Sequence, residues 1–205
     1  MGLVALTHLD SDQSRGLLEV LDRYRLGSVL LGPEDVKDVM YPQWQSMVDR
    51  EDSVEVLAQT GQQVILEPNV ELAVFNPPEV WFMHPNKNGV VLKLMYGEVS
   101  FLLTADIGSP TKYWLIRNAP LLNSTVLKVA HRGSRTSTAT EFLASVVPPI
   151  GVISVGSDNS FGHPMLGVLE RLETPMRDGV ILHTDQDGNI EFTGDGQALW
   201  FNIER

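Results

Sequence analysis

The chain has 205 residues, of which 26 are Asp or Glu and 15 are Lys or Arg, and it contains no cysteine. Its 43% apolar content indicates a globular protein, and its net charge of −11 argues against broad binding of polyanions, because cationic side chains supply most affinity for phosphates. Without cysteine the chain has no disulfides, thiolate metal sites or cysteine nucleophiles, so any metal must be bound by His and carboxylate side chains.

The first half of the chain predicts a β-α-β unit followed by a series of strands. Residues 3–6 have the pattern of a short buried strand, apolar residues recur at helical spacing over 16–25, and 28–31 predict a second strand. Residues 34–60 are expected to be helical or irregular. β-branched and aromatic runs bounded by turn residues predict further strands, at 63–66, 71–76, 90–96 and 99–103.

The second half predicts another α/β stretch that ends in strands. Its strands and helices alternate, at 126–130, 139–147, 152–155 and 165–173. Thr138 and Glu141 have the spacing of a capping box at the start of the first of these helices. The last strands are expected at 180–183, 189–193 and 198–203. This order of elements predicts two sheets flanked by helices, an αββα sandwich.

The strongest local signal follows the first predicted strand, at Thr7-His8-Leu9-Asp10-Ser11-Asp12-Gln13. Ligand sites of α/β proteins collect at strand ends, and one His with two Asp supplies the nitrogen and oxygen donors that bind Zn²⁺ or Mn²⁺. The alternative is an Asp-rich turn that caps the next helix, since Asp and Ser are common at helix N-termini.

Polar side chains also follow three later strands. Asp106 ends an apolar run at 101–105, His131 follows the strand at 126–130, and His163 follows the strand at 152–155. Each residue alone has an ordinary explanation, as a cap or as a hydrogen-bonded structural side chain. Three of the five histidines nevertheless follow predicted strands, so parallel strands would bring them to one edge of the sheet.

Four segments carry a resemblance to a known family, in this order: THLDSDQSRGL, FLLTADIG, LKVAHRGSRTST and SVGSDNSFGHP. From about residue 3 to 196 the sequence resembles the metallo-β-lactamase-like C-terminal domain of ComEC-type DNA-internalisation proteins. The resemblance implies an αββα metallo-β-lactamase-like sandwich that forms a single domain over residues 1–205. It also implies that this domain is a fragment of a larger membrane protein that takes up single-stranded DNA during competence.

The resemblance implies roles for individual residues. The metal ligands it implies are His8, Asp10, Asp12, Asp106 and His131, with Asp106 as the carboxylate between two ions. Its catalytic residues are Asp12, which orients the attacking water, and His163, which lines the same cleft. The implied cofactor is Zn or Mn, as one or two ions, or none if the site is degenerate.

A second group of residues could hold a DNA phosphate. Ser134, Arg135 and Ser137 precede a predicted helix, where backbone N–H groups and positive charge favour anions. Arg132 carries a fixed charge and could bind an anion in place of a missing cation. The alternative, that the residues at 134–137 only cap the helix, stays open.

The chain departs from the family pattern at three positions in these motifs. Gln13 stands where His is usual, Ala105 where Gly is usual, and Arg132 where a second His is usual. Gln is a poor ligand for Zn²⁺ or Mn²⁺, and Arg132 brings positive charge to a cation site. A weakened site is expected, which leaves two functions open: a metal-dependent nuclease that degrades the non-imported strand, or an inactive domain with a structural or DNA-guiding role.

The resemblance also implies partners and a location. Single-stranded DNA and the remainder of the parent membrane channel are the expected partners, and the domain is expected on the outer face of the cell membrane. The family fold has further strands before the first metal loop, and this chain is expected to lack them. One sheet would then have an exposed edge that could pair with a second copy.

Overall fold

A computed structural model describes the protein at residues 2–8, 11–25, 27–32, 39–51, 54–78, 89–119, 121–174, 176 and 178–205, with backbone alone at 11–15, 21, 50 and 51. Within these ranges the strands form a three-stranded sheet, a seven-stranded sheet and a separate hairpin. None of the described helices has the length and apolar content needed to cross a membrane.

The smaller sheet consists of three parallel strands, β1 (Leu3–Leu6), β2 (Ser28–Leu31) and β3 (Val54–Leu57), in that order. Helix α1 (Ser11–Arg23) follows β1, and helix α2 (Tyr41–Glu51) follows β2. Their apolar side chains pack with alternate strand residues into one cluster, which includes Val4, Leu6, Leu18, Val29, Trp44 and Val48. The two helices therefore cover one face of this sheet.

The larger sheet has the strand order β10-β9-β8-β7-β6-β5-β4. Its strands are β4 (Gln63–Glu67), β5 (Val70–Asn76), β6 (Val91–Tyr96), β7 (Val99–Leu103), β8 (Val126–Lys128), β9 (Ile150–Ile153) and β10 (Val180–His183). Neighbours from β4 to β7 are antiparallel, and those from β7 to β10 are parallel. The parallel half places the ends of β7, β8 and β9 at one edge, as the sequence predicted.

Two apolar layers join the remaining elements. Helices α3 (Ser109–Asn118), α4 (Thr140–Val146) and α5 (Leu166–Glu173) share the largest core with one face of the larger sheet. The other face packs on the smaller sheet through a cluster that includes Leu30, Leu72, Val74, Val90 and Leu92. The layers run helix, sheet, sheet, helix, so the predicted αββα sandwich is confirmed.

The end of the described chain forms a docked hairpin. A short helix, α6 (Thr184–Asp187), leads into strands β11 (Asn189–Gly194) and β12 (Leu199–Glu204). The Phe192 ring meets the edge of the Phe101 ring with centroids 5.5 Å apart, and the amide of Glu98 donates to the carbonyl of Gly196 at 2.7 Å. The hairpin therefore lies at the β6–β7 turn, at the opposite end of β7 from Asp106.

Several sequence predictions of element bounds were wrong. The helix expected at 16–25 spans Ser11–Arg23, so it begins inside the first polar motif. The strand expected at 126–130 ends at Lys128, because Ala130–Gly133 forms a tight turn, and that expected at 152–155 lies at Ile150–Ile153. The segment expected to be helical or irregular contains β3, whose side chains are all exposed, so no apolar alternation marked it.

A helix and a cap also differ from the expectation. Helix α3 was not predicted, because Pro110 interrupts the apolar pattern, although proline is favoured in the first turn of a helix. The capping box of Thr138 and Glu141 is absent: Ala139 is the N-cap residue of α4 and no side chain bonds to this end.

Gly97 tests the docking of the hairpin. It has φ +58, and a Cβ there would lie 2.2 Å from the carbonyl oxygen of Gly196. We predict that Gly97→Ala lowers the free energy of unfolding by at least ~2 kcal/mol, because the left-handed conformation is costly and the hairpin must shift. Gly162→Ala is the control, since Gly162 has φ +68 with nothing within 4 Å of a Cβ. Equal losses in urea denaturation would contradict the close approach.

Candidate functional site

Asp106 follows β7 and is buried, with 5% of its surface exposed. Ala105 before it has φ +45, a left-handed conformation that costs a non-glycine residue ~1–2 kcal/mol. The amide of His131 donates to the carbonyl of Ala105 at 3.0 Å, and Thr104 Oγ1 donates to the carbonyl of Lys128 at 2.5 Å. The loops after β7 and β8 are thus bonded to each other, which fixes the position of the carboxylate.

Two imidazoles from different sheets approach this carboxylate. Nε2 of His8, after β1, lies 3.7 Å from Asp106 Oδ2, and Nε2 of His131, after β8, lies 3.8 Å from the same oxygen. The pair Thr7 Oγ1 and His8 Nδ1, 2.9 Å apart, orients the His8 ring. His8 is buried, whereas the side chain of His131 is 39% exposed, so the group is reached from the His131 side.

A left-handed turn carries His131 to this position. His131, Arg132 and Gly133 have φ +47, +52 and +76 in succession. A Cβ on Gly133 would lie 2.7 Å from Cβ of Pro164, and the amide of Met165 donates to the carbonyl of Gly133 at 2.9 Å. Only glycine allows this close packing of the turn on the segment that contains His163.

His163 therefore lies beside His131, with ring centroids 5.9 Å apart and the planes at 76°. Partial burial lowers the pKa of His163, and the positive charges of His131 and Arg132 lower it further, against the opposing effect of Asp106. The neutral imidazole is favoured, with a ring nitrogen that can accept a proton.

Asp106 itself is held in the ionised form. Burial alone would raise its pKa, but the adjacent side chain of His8, 3.7 Å away, and the charges of His131 and Lys128 more than offset that effect, so the pKa of Asp106 lies below its ordinary value. The ionised carboxylate and the two neighbouring imidazoles are groups of the kind that bind Zn²⁺, provided that the imidazoles are neutral.

Lys112 is a buried residue of the site region that sequence reasoning missed. Its side chain is fully buried in α3, and Nζ donates to the carbonyls of Ile107 and, at 3.2 Å, of Thr136. Burial lowers the pKa of Lys112 to about 7, although the charge of Asp106 acts in the opposite direction. A lone lysine among the apolar positions of α3 was the available signal, but the helix itself was not predicted.

The segment 134–138 is bonded from both sides. Lys112 holds the carbonyl of Thr136, and Arg171 of α5 donates to the carbonyls of Thr138 at 2.9 Å and Arg135 at 3.0 Å. Within the described structure the hydroxyls of Ser134, Ser137 and Thr138 are buried and have no hydrogen-bond partner. Of the predicted phosphate ligands, Arg135 is exposed, Arg132 is half-buried, and Ser134 and Ser137 are buried.

The first predicted metal loop is described only in part. Asp10 lies outside the described residues, and the side chains of Asp12 and Gln13 do too, although their backbone lies in α1. Among the side chains that the structure describes, no three His, Asp or Glu residues surround a common point closely enough to hold an ion. The described donors are two imidazoles and one carboxylate, which match in kind the His₂-carboxylate ligands of known zinc sites.

Comparison with known proteins finds relatives among competence proteins. The chain is 28% identical to ComE operon protein 3 of Bacillus subtilis over 97% of its own length and 25% of that protein. It is 30% identical to competence protein ComA of Neisseria gonorrhoeae over 60% of its length and 18% of the relative. Recombination protein 2 of Haemophilus influenzae matches 48% of the chain at 32% identity. The chain thus spans a quarter or less of the curated relatives, and no protein-family model matches it.

Solved structures with the same fold include metalloproteins. CmlA, a diiron β-hydroxylase from Streptomyces venezuelae, matches 89% of this chain and 44% of its own, with a TM-score of 0.59 and 15% identity. YhfI of Bacillus subtilis, a metallo-β-lactamase-fold protein, matches 98% of this chain and 78% of its own, with a TM-score of 0.53 and 12% identity. The metallo-β-lactamase fold and the resemblance to competence proteins are both confirmed.

Lys112 makes the stability of the protein depend on pH. Its pKa is about 7 in the folded protein and 10.5 in an unfolded chain, so between these values the unfolded state binds more protons and stability rises with pH. From pH 7.5 to 9.5 we predict a gain of roughly 2 kcal/mol in the free energy of unfolding, which Lys112→Met removes. Urea denaturation at both pH values measures it. The same gain in the variant would show that Lys112 is not the titrating group.

Proposed function

We propose that this relative of competence proteins is a metal-dependent phosphodiesterase domain that acts on DNA during uptake and degrades the non-imported strand. The observation that supports it best is the approach of His8 Nε2 and His131 Nε2 to the same oxygen of Asp106, at 3.7 and 3.8 Å. The chain has the fold of metalloproteins, and its relatives include a competence protein. Because the chain spans a quarter or less of these relatives, a role in DNA uptake is part of this proposal.

The donor chemistry supports a metal ion, Zn or Mn. His8, Asp106 and His131 would hold it, together with Asp10 and with Asp12 at the start of α1. When bound, one or two such ions supply positive charge that polarises a phosphodiester and lowers the pKa of water.

The chain's own residues supply orientation and proton transfer. Asp12 orients the attacking water, and His163, whose pKa is lowered, accepts a proton from it. Asp106 keeps its negative charge, because His8 and His131 stabilise it in place. The left-handed turn at His131 holds the ring of this proposed metal ligand beside the ring of His163.

A phosphate of the DNA backbone would bind beside this group, through Arg132, Ser134, Arg135 and Ser137. The exposed guanidinium of Arg135 and the half-buried one of Arg132 supply charge. The hydroxyls of Ser134 and Ser137 have no partner among the described residues but are buried, so they reach a phosphate only if this segment shifts. With a net charge of −11 on the whole chain, DNA would be bound only here, locally.

The position of Arg132 favours a second function, an inactive domain with a structural or DNA-guiding role. Its charge lowers the pKa of His163, so it acts within the site, where it also opposes a cation. In that case Arg132 binds the phosphate directly. The remainder of the membrane channel would then be the main partner of this domain, on the outer face of the membrane.

A second copy of the chain is a further proposed partner. β3 is an edge strand of the smaller sheet, and its Val54 and Leu57 side chains are exposed. Unpaired edges with apolar side chains tend to pair with another strand.

Variants of two of the three described donors test the enzyme. We predict that Asp106→Asn and His131→Ala each lower cleavage of single-stranded DNA at saturating Mn²⁺ by at least ~100-fold, and weaken Mn²⁺ binding measured by calorimetry. His183→Ala is the matched control, because this histidine ends β10, two strands from β8, and pairs with Asp185, so the variant should keep both properties. No Mn²⁺ binding and no cleavage by the unmodified protein would exclude the enzyme.

Replacement of two of the three unusual residues, Gln13 and Arg132, tests whether they weaken the metal site. We predict that Gln13→His combined with Arg132→His raises Mn²⁺ affinity at least ~10-fold, because a poor ligand and a fixed positive charge are replaced by imidazoles. Calorimetric titration of the variant beside the unmodified protein gives the comparison. An unchanged affinity would mean that these residues do not belong to the metal site.

A further inference from the structure

An aromatic side chain is exposed next to the candidate site. Phe161 has 66% of its surface exposed, although a phenylalanine usually lies in the core. Its ring stacks on the ring of His163, with centroids 5.9 Å apart and planes at 21°. One face of the phenyl ring thus contacts His163, and most of the remaining side-chain surface is exposed to solvent.

The loop that carries Phe161 is held in one conformation. The side-chain amide of Asn159 donates to the carbonyls of Gly156 and His163, each at 2.8 Å. Its oxygen accepts from the amide of His163 at 2.9 Å. Three hydrogen bonds from one side chain therefore close the loop on both sides of Phe161, so the ring is presented with little loss of conformational entropy on binding.

Ring contacts connect Phe161 to the candidate site. His163 lies between Phe161 and His131, and Nε2 of His131 is 3.8 Å from Asp106 Oδ2. The loop also packs directly on the turn that contains Arg132, through the contact of Pro164 with Gly133. A strand whose phosphate lies at this turn would bring a base within reach of Phe161.

The charges of this region suit a polyanion with bases. Arg132 acts electrostatically on His163, and Arg135 is exposed on the segment that follows the turn. Asp158 is the carboxylate of the Phe161 loop and is exposed to solvent. Cations for the backbone next to an aromatic face for a base are the two elements of single-strand binding sites.

We propose that Phe161 is a stacking platform for an unpaired base of the single-stranded DNA whose phosphate is bound at the site. The inference rests on the proposed function, because it takes DNA as the ligand, but it does not require cleavage. Stacking requires a base whose face is free, which a base inside a duplex does not offer. Phe161 would therefore select a single strand over a duplex.

The test separates the base from the phosphates. Fluorescence anisotropy in EDTA compares a labelled 12-nucleotide thymidine strand with an abasic strand of the same length, which has the same phosphates. We expect the unmodified protein to bind the thymidine strand five- to a hundred-fold more tightly. Phe161→Ala should lose this preference and bind both strands like the abasic one, and Phe161→Tyr should retain it.

Trp200→Ala is the matched control. Trp200 is also an exposed aromatic residue, but it lies on the hairpin docked at the β6–β7 turn, away from Asp106. This variant should bind both strands as the unmodified protein does. A duplex of the same sequence should bind equally to the unmodified protein and to Phe161→Ala.

The outcomes distinguish this inference from the proposed enzyme. Equal affinity of the unmodified protein for both single strands, or an unchanged preference in Phe161→Ala, would overturn the stacking role. Neither result would bear on the enzyme, which is tested by the cleavage assay. A base preference that depends on Phe161, without cleavage in Mn²⁺, would support the stacking role and exclude the enzyme. No binding of any strand would overturn both the stacking role and the choice of DNA as ligand.

Discussion

The buried carboxylate of Asp106 is the constraint on which the polar edge of this protein depends. A charge out of water is stable only where donors and opposite charges surround it. His8 comes from the smaller sheet and His131 from the larger one, and both approach the same oxygen. The strand ends of the two sheets are thereby brought together at Asp106.

The backbone around this carboxylate is strained where it serves the site. Ala105, His131 and Arg132 all have positive φ, at a cost of ~1–2 kcal/mol each for residues with a Cβ. Such conformations persist where surrounding contacts fix them, and they concentrate at functional sites. Here the amide of His131 donates to the carbonyl of Ala105, and the side chains of Lys112 and Arg171 hold carbonyls of the neighbouring segment.

The sequence predicts the layers of the fold and the clustering of the site residues. It does not predict the buried side chains that hold the loops of the site in place. Strand ends were visible as apolar runs followed by His or Asp, and because β7 to β9 are parallel, Asp106 and His131 do meet. The supporting role of Lys112 could not be predicted, since it depends on carbonyl groups that approach the side chain only in the folded protein. β3 has exposed side chains and no alternation, so an edge strand was missed there. The contribution of Asp10 and Asp12 stays a prediction.

The central claim is that a metal ion binds between Asp106 and the imidazoles of His8 and His131. The most direct measurement is anomalous X-ray diffraction from crystals of this protein soaked in saturating Mn²⁺. The account predicts an anomalous peak within bonding distance, ~2.0–2.3 Å, of Asp106 Oδ2 and of Nε2 of His8 or His131. A peak elsewhere, or none at this position, would contradict the assignment of this edge as a metal site.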